Sequence, residues 1–149
     1  MKTFQEVRNL LSTIEADEYT YSQITSEDIP NLQKLLKDSE AWMSARAIFA
    51  LSRLKNQEAH ALIEHATRDK RIEVRVAIAV ASPLLPQAVA EKALSMLLRD
   101  EDLGVKQWAI NSIPENPSEN LKTQLQAISQ YDGNEYIKKI SREKLSIIK

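Results

Sequence analysis

An aspartate returns every 31 residues: Asp38, Asp69 and Asp100, with Asp132 arriving one position late. Five residues beyond each stands an apolar side chain, Met43, Val74, Val105 and Ile137. A fixed period of this length means one supersecondary unit copied and stacked, each copy hiding its apolar side against the next. A chain with this pattern is held to a linear array, because no repeat can close its own core.

Composition decides what the unit is made of. Only two glycines, Gly104 and Gly133, occur in 149 residues, too few for the tight turns of a β protein. Apolar residues make up 43% and charged residues 28%, with Ala, Leu, Ile, Lys and Glu prominent, which favours helix throughout. The expected class is all-α.

The period accommodates four helical hairpins, over about 25–37 with 41–53, 57–68 with 71–82, 86–98 with 103–113, and 118–129 with 134–147. Thr25 with Asp28 forms a capping-box pattern, and Ile29, Leu32, Leu35 and Leu36 follow as a helical stripe. Pro83, Pro86, Pro114 and Pro117 fall at junctions, where a missing N–H does least harm. A helix at about 3–14, turning Val7, Leu10, Leu11 and Ile14 inward, closes the first end. The organisation expected is one domain, with a cap at 1–24 and repeats near 25–54, 55–85, 86–116 and 117–149.

One stretch argues otherwise. Ile72, Val74, Val76, Ile78 and Val80 alternate strictly, which by periodicity alone reads as a strand. Its register with the neighbouring repeats, and Ala77, Ala79 and Ala81 in the gaps, make it a helix instead.

The stretch ALSRLKNQEAHALIEHATRD at 50–69, followed by KRIEVRVAIAVAS, resembles HEAT repeats, in particular the short bacterial variety of bilin-lyase-like proteins. The resemblance covers about 25–147 and rests on the turn aspartates, Val74-Arg75 and the small residues Ala77, Ala79 and Ala81. It implies a right-handed α-solenoid. Basic residues follow the aspartates by six at Arg75, Lys106 and Lys138, but Ser44 takes that place in the first repeat. A structural ladder of Asp38, Asp69, Asp100 and Asp132 with Arg75, Lys106 and Lys138 is expected.

Helix geometry sorts the remaining columns by direction at 100° per residue. Ala45, Phe49, Val76, Val80, Gln107, Asn111, Lys139 and Glu143 fall on the side turned towards the concave surface, with Arg46 and Trp108 on its flank. The middle of that strip is apolar where a solvated helix is polar. Two readings stand: a partner-binding surface, or side chains packed between tightly curled repeats. Trp42 is expected to cover a helix end.

Familiar chemistry is missing. The chain has no cysteine, and His60 and His65 are about 140° apart on one helix, a poor start for a metal site. There is no glycine-rich phosphate loop and no serine–histidine pattern. Asp132-Gly133-Asn134 reads as a turn. Neither a catalytic residue nor a cofactor is expected. The net charge of −1 speaks against nucleic acid, although the last sixteen residues gather Lys138, Lys139, Arg142, Lys144 and Lys149. No apolar run suits a signal peptide or a membrane span, so a cytoplasmic protein is expected.

The sequence therefore points to a non-enzymatic scaffold or adaptor that takes a protein or peptide on its concave face. The family resemblance also implies a chromophore or substrate chaperone as an alternative, and more remotely a nucleic-acid-binding array.

Overall fold

The computed structural model describes all residues, 1–149. It contains ten α-helices and no strand. Two form the first end: α1 (Phe4–Leu11) and the short α2 (Glu18–Ser22). Eight follow as four hairpins: α3 (Ile29–Leu35) with α4 (Ala41–Ser52), α5 (Gln57–Ala66) with α6 (Ile72–Ala81), α7 (Gln87–Leu97) with α8 (Leu103–Ser112), and α9 (Glu119–Tyr131) with α10 (Glu135–Ile147). The segment with the alternating β-branched residues is the helix α6.

The hairpins stack into two rows, first helices α3, α5, α7 and α9, second helices α4, α6, α8 and α10. In the middle of the array the second helices lie much closer to one another than the first helices do, so that row is the concave one. The reason is side-chain size. Ala47 and Ala50 of α4, Ala77, Ala79 and Ala81 of α6 and Ala109 of α8 are all buried, and alanine lets helix axes approach to the near end of the usual 8–10 Å. Larger side chains fill the space between the rows. Leu32, Ile63, Leu94 and Leu125, one per first helix at the repeat spacing, are all closed to solvent, as are Met43, Val74, Val105 and Ile137 opposite them. One continuous core results.

Each hairpin turn is built on its aspartate in the same way. The Oδ1 atoms of Asp38, Asp69, Asp100 and Asp132 accept from the amides of Glu40, Arg71, Asp102 and Asn134, each at 2.9 Å. These are four copies of one Asx turn, satisfying an amide that the turn would otherwise leave without a partner. Asp102 and Asn134 then cap the second helices, accepting from Val105 N at 3.0 Å and Ile137 N at 3.0 Å.

The other carboxylate contact of each turn reaches across the stack. Arg75 binds Asp100 of the next repeat, and Lys106 binds Asp132 at 2.6 Å. At the start of the array Arg8 of α1 supplies the cation for Asp38 at 3.2 Å. Asp69 breaks the series because Ser44, turned to the Leu35 carbonyl, cannot reach it. Arg71 compensates from the same turn: it holds Asp69 and donates backwards to the carbonyls of Leu36 and Asp38 at 2.7 and 2.6 Å. Lys138 does not join the ladder. Its Nζ lies 3.5 Å from the exposed Glu135 of its own helix.

The first end differs from the sequence expectation. Helix α1 stops at Leu11, and Ile14, expected inward, is 94% exposed. Ser12 and Thr13 turn their hydroxyls onto the carbonyls of Arg8 and Leu10, which competes with another helical turn. Lys2 then ties the chain start to the first repeat. Its backbone N and its Nζ donate to the buried Asp28, at 3.2 and 3.3 Å. Asp28 also accepts from Thr25 N at 3.0 Å, so the Thr25–Asp28 pair caps a short 3-10 turn, Ser26–Asp28, rather than α3 itself.

Candidate protein-binding face

Helix α6 is apolar on two opposite sides. Val74 and Ile78 point into the core and are fully buried, and Val76 is half-buried on the outer side. Extending that outer line in steps of four residues gives Ile72, Val76, Val80 and Leu84, the last in a 3-10 turn that prolongs the helix. Ile72 is 43% exposed, Val80 39% and Leu84 51%. On the next second helix, Leu103 is 48% exposed and Trp108 47%. On the preceding one, the small side chains of Ala41 and Ala45 sit at the corresponding height.

Around this centre the expected residues divide. Arg46 is not available to a partner. Its guanidinium donates to the carbonyls of Leu11 at 2.6 Å, Thr13, and Ile14 at 3.1 Å, and lies 5.2 Å over the ring of Trp42. It is a cation closing the C-terminal end of α1, where helix carbonyls have no intrahelical donor. Phe49 is half-buried beneath α2, edge-on to Tyr21 at 6.5 Å between ring centres. Arg53 covers the other side of that tyrosine at 4.2 Å and is held by Glu18. Burial pushes the Tyr21 hydroxyl above the usual tyrosine range. Helix α2, absent from the sequence reading, thus roofs the first-repeat end of the strip.

Towards the last repeat the face turns polar. Gln107 donates to the Tyr136 hydroxyl at 3.3 Å, and Asn111 is exposed. Lys139 and Glu143 are both exposed and face each other at 3.9 Å. The Asn111 carbonyl accepts from Lys144 at 3.2 Å, and burial lowers the affinity of that ammonium for its proton.

Residues 29–114 match the family described as HEAT repeats, and this stretch is more than half of the chain. The chain belongs to the HEAT-repeat family. HEAT arrays are commonly protein-interaction scaffolds and are generally not enzymes. No curated protein matches this sequence. In this HEAT array no helix is long and apolar enough to cross a membrane, and no three His, Asp or Glu side chains gather where a metal ion could be held. His60 sets Nε2 3.1 Å from the Leu54 carbonyl, and His65 is exposed on the first-helix row.

Sequence reasoning missed Ile72, Leu84 and Leu103. The signal was present, one helical turn before or after the columns already assigned to the concave side, but it lay at the helix ends, where boundaries are read least securely.

Proposed function

We propose that this HEAT array is a non-enzymatic interaction module that holds a protein or peptide partner against the second-helix face, centred on α6. The observation that carries this reading is the double apolar face of α6. A helix that is hydrophobic all round is normally covered on all sides, and here Ile72, Val80 and Leu84 are open. Val76, Val80 and Trp108 are the contact residues of this reading. Phe49 contributes only its half-exposed edge, and Gln107, Asn111, Lys139 and Glu143 form the polar end. Arg46 is outside the contact set, held by the carbonyls at the end of α1.

The test is site-specific crosslinking. A photoreactive residue at Val80 is expected to give discrete protein adducts in native lysate. The same residue at Lys122, on the opposite row, is expected to give none. Adducts of equal yield from both positions, or from neither, contradict the proposal.

A further inference from the structure

Resting on that reading, we infer that the occupant is a basic amphipathic helix lying along α6, rather than an extended peptide strung across the repeats or a second copy of this chain. The open apolar line climbs α6 as an i, i+4 ridge that turns about 40° around the axis at each step and ends with Leu84 at the edge of a cleft shared with Leu54 and Val89. Ile72 to Leu84 is twelve residues, a rise of about 18 Å, matched by roughly a dozen residues of a partner helix. Across the repeats the face changes character: the columns through Val76 and Val80 begin as Ala45 and Phe49, the latter packed on Tyr21 of α2, and continue as Gln107 and Asn111, then as Lys139 and Glu143, so that beyond α6 only Leu103 and Trp108 of α8 extend the apolar surface. A ligand crossing the array would meet the α2 roof at one end and the polar side chains of α10 at the other.

The walls suit a cylinder. Ala41 and Ala45 leave a low side towards α4, while Leu103 and Trp108 stand exposed on α8. A second copy fits poorly, because a concave face cannot mate with itself.

Charge selects the sign of the partner. The cations bordering this face are already engaged: Arg46 by α1 carbonyls, Arg71 by Asp69, Arg75 by Asp100 and Lys106 by Asp132. Along the edge formed by the first turns of the second helices, Glu40, Glu73 and Glu101 are exposed and outside every ion pair of the protein. Lys70 stands on the same edge; Lys37, Arg68 and Arg99, one per turn, lie behind it at the ends of the first helices, where Arg68 lines a cleft with Glu64 and Lys92 on the first-helix row. The balance at the rim is acidic, so lysine or arginine flanking the apolar face of the ligand is favoured, and two copies of the rim would repel.

The experiment is selection of a displayed library of random 16-residue peptides on the full chain, with counter-selection on Val80→Lys/Leu84→Lys. Both substituted side chains are exposed, and circular dichroism checks that the variant is folded. Enrichment of sequences with apolar residues at i, i+4, i+7 and i+11 and basic flanks supports the inference. Their synthetic peptides should become helical on binding. They should lose about tenfold or more in affinity on Val80→Asp and less than about twofold on Asn111→Ala, and weaken as salt rises. Enrichment of extended, proline-rich or acidic sequences overturns it, as does failure to enrich anything. If Val80 crosslinks to a protein while the selection overturns the helix, the module reading stands and only the helical ligand falls. Failure of both experiments removes both.

Discussion

Arg75 joins two repeats through a two-pronged contact with Asp100: Nε donates to Oδ2 at 2.7 Å and Nη2 to Oδ1 at 3.1 Å. The third arm, Nη1, donates to the Asp69 carbonyl at 2.8 Å, so one guanidinium holds the turn of its own repeat and the turn of the next. Both side chains are largely covered, which sets the contact apart from an ordinary surface pair.

Removing that link should be felt globally. Arg75→Ala strips three charge-assisted hydrogen bonds and leaves the Asp100 carboxylate with little compensation, at a cost of about 2–3 kcal/mol. For a chain of this size each kcal/mol lowers the melting temperature by roughly 2–4 °C. Lys138→Ala, at the equivalent position of the last repeat, is expected to stay within about 0.5 kcal/mol, because its only partner is the exposed Glu135. Thermal melts of the two variants side by side check the contrast.

The turn aspartates also make the fold sensitive to acid. The Glu40 amide, with help from Arg8, holds the Asp38 carboxyl below the usual aspartate range. The Arg71 side chain does the same for Asp69. At Asp132 burial acts upwards, but the Lys106 ammonium and the Asn134 amide outweigh it and the net direction is down. A carboxylate that titrates lower when folded than when unfolded stabilises the fold above the unfolded value, and that stability drains away as pH falls through the folded value. Stability should therefore hold from neutral pH to about 5 and fall steeply below about 4. Asp69→Asn should lower stability at pH 7 and flatten the acid limb, as read from urea midpoints between pH 3 and 7.

The two sides of α6 make opposite predictions. Ile78→Ala opens a cavity in a fully buried site and should cost about 3 kcal/mol or more. Val80→Asp, on the open side, should cost less than about 1 kcal/mol. Urea denaturation of both variants checks this. If Val80→Asp proved as damaging as Ile78→Ala, the outer face would be part of the core and not a docking surface.

These same residues show what the sequence could and could not convey. The period of the aspartates was sufficient for the repeat class, because a turn needing one side-chain acceptor at one place leaves a mark at a fixed interval. The alternation of Ile72, Val74, Val76, Ile78 and Val80 was ambiguous for a physical reason. Two helical faces, each advancing by four residues and both apolar, interleave into a period of two. Helix α2 was invisible because five residues, Glu18–Ser22, are too short for a period, although Asp17 and Thr20 exchange the hydrogen bonds of a capping box. Arg46 could not be placed by its column, since its partners are backbone carbonyls more than thirty residues away that carry no sequence signature.

Arg46 gives a local prediction. Arg46→Ala should release the chain from Leu11 to Ile14 and fray the end of α1 without unfolding the array. Amide hydrogen exchange in residues 1–14 should rise well above that of α6 and α8, and the emission of Trp42 should shift as its stacked cation is lost. Uniform acceleration across the chain would mean instead that the cap is part of the cooperative core.

The outer side of the fourth hairpin differs from that of the other three. Ile48, Ala79 and Ile110 occupy one column on the side of the second helices that faces the following repeat, and all three are fully buried. The fourth member is Arg142, which is exposed and donates to the Ser129 carbonyl at 3.2 Å. Lys122 and Gln126 continue this polar surface on α9. Stacked repeats need such a charged outer face, because an apolar one invites another unit to join. Arg142→Ile restores the column's apolar pattern beside the half-buried Leu145 and should convert the end into an adhesive surface. The variant is expected to sediment faster than the parent chain, with a concentration dependence that the parent lacks, while its helical content stays unchanged. An Arg142→Ile variant that sediments like its parent at every concentration would show that the remaining polar residues are enough to close the stack.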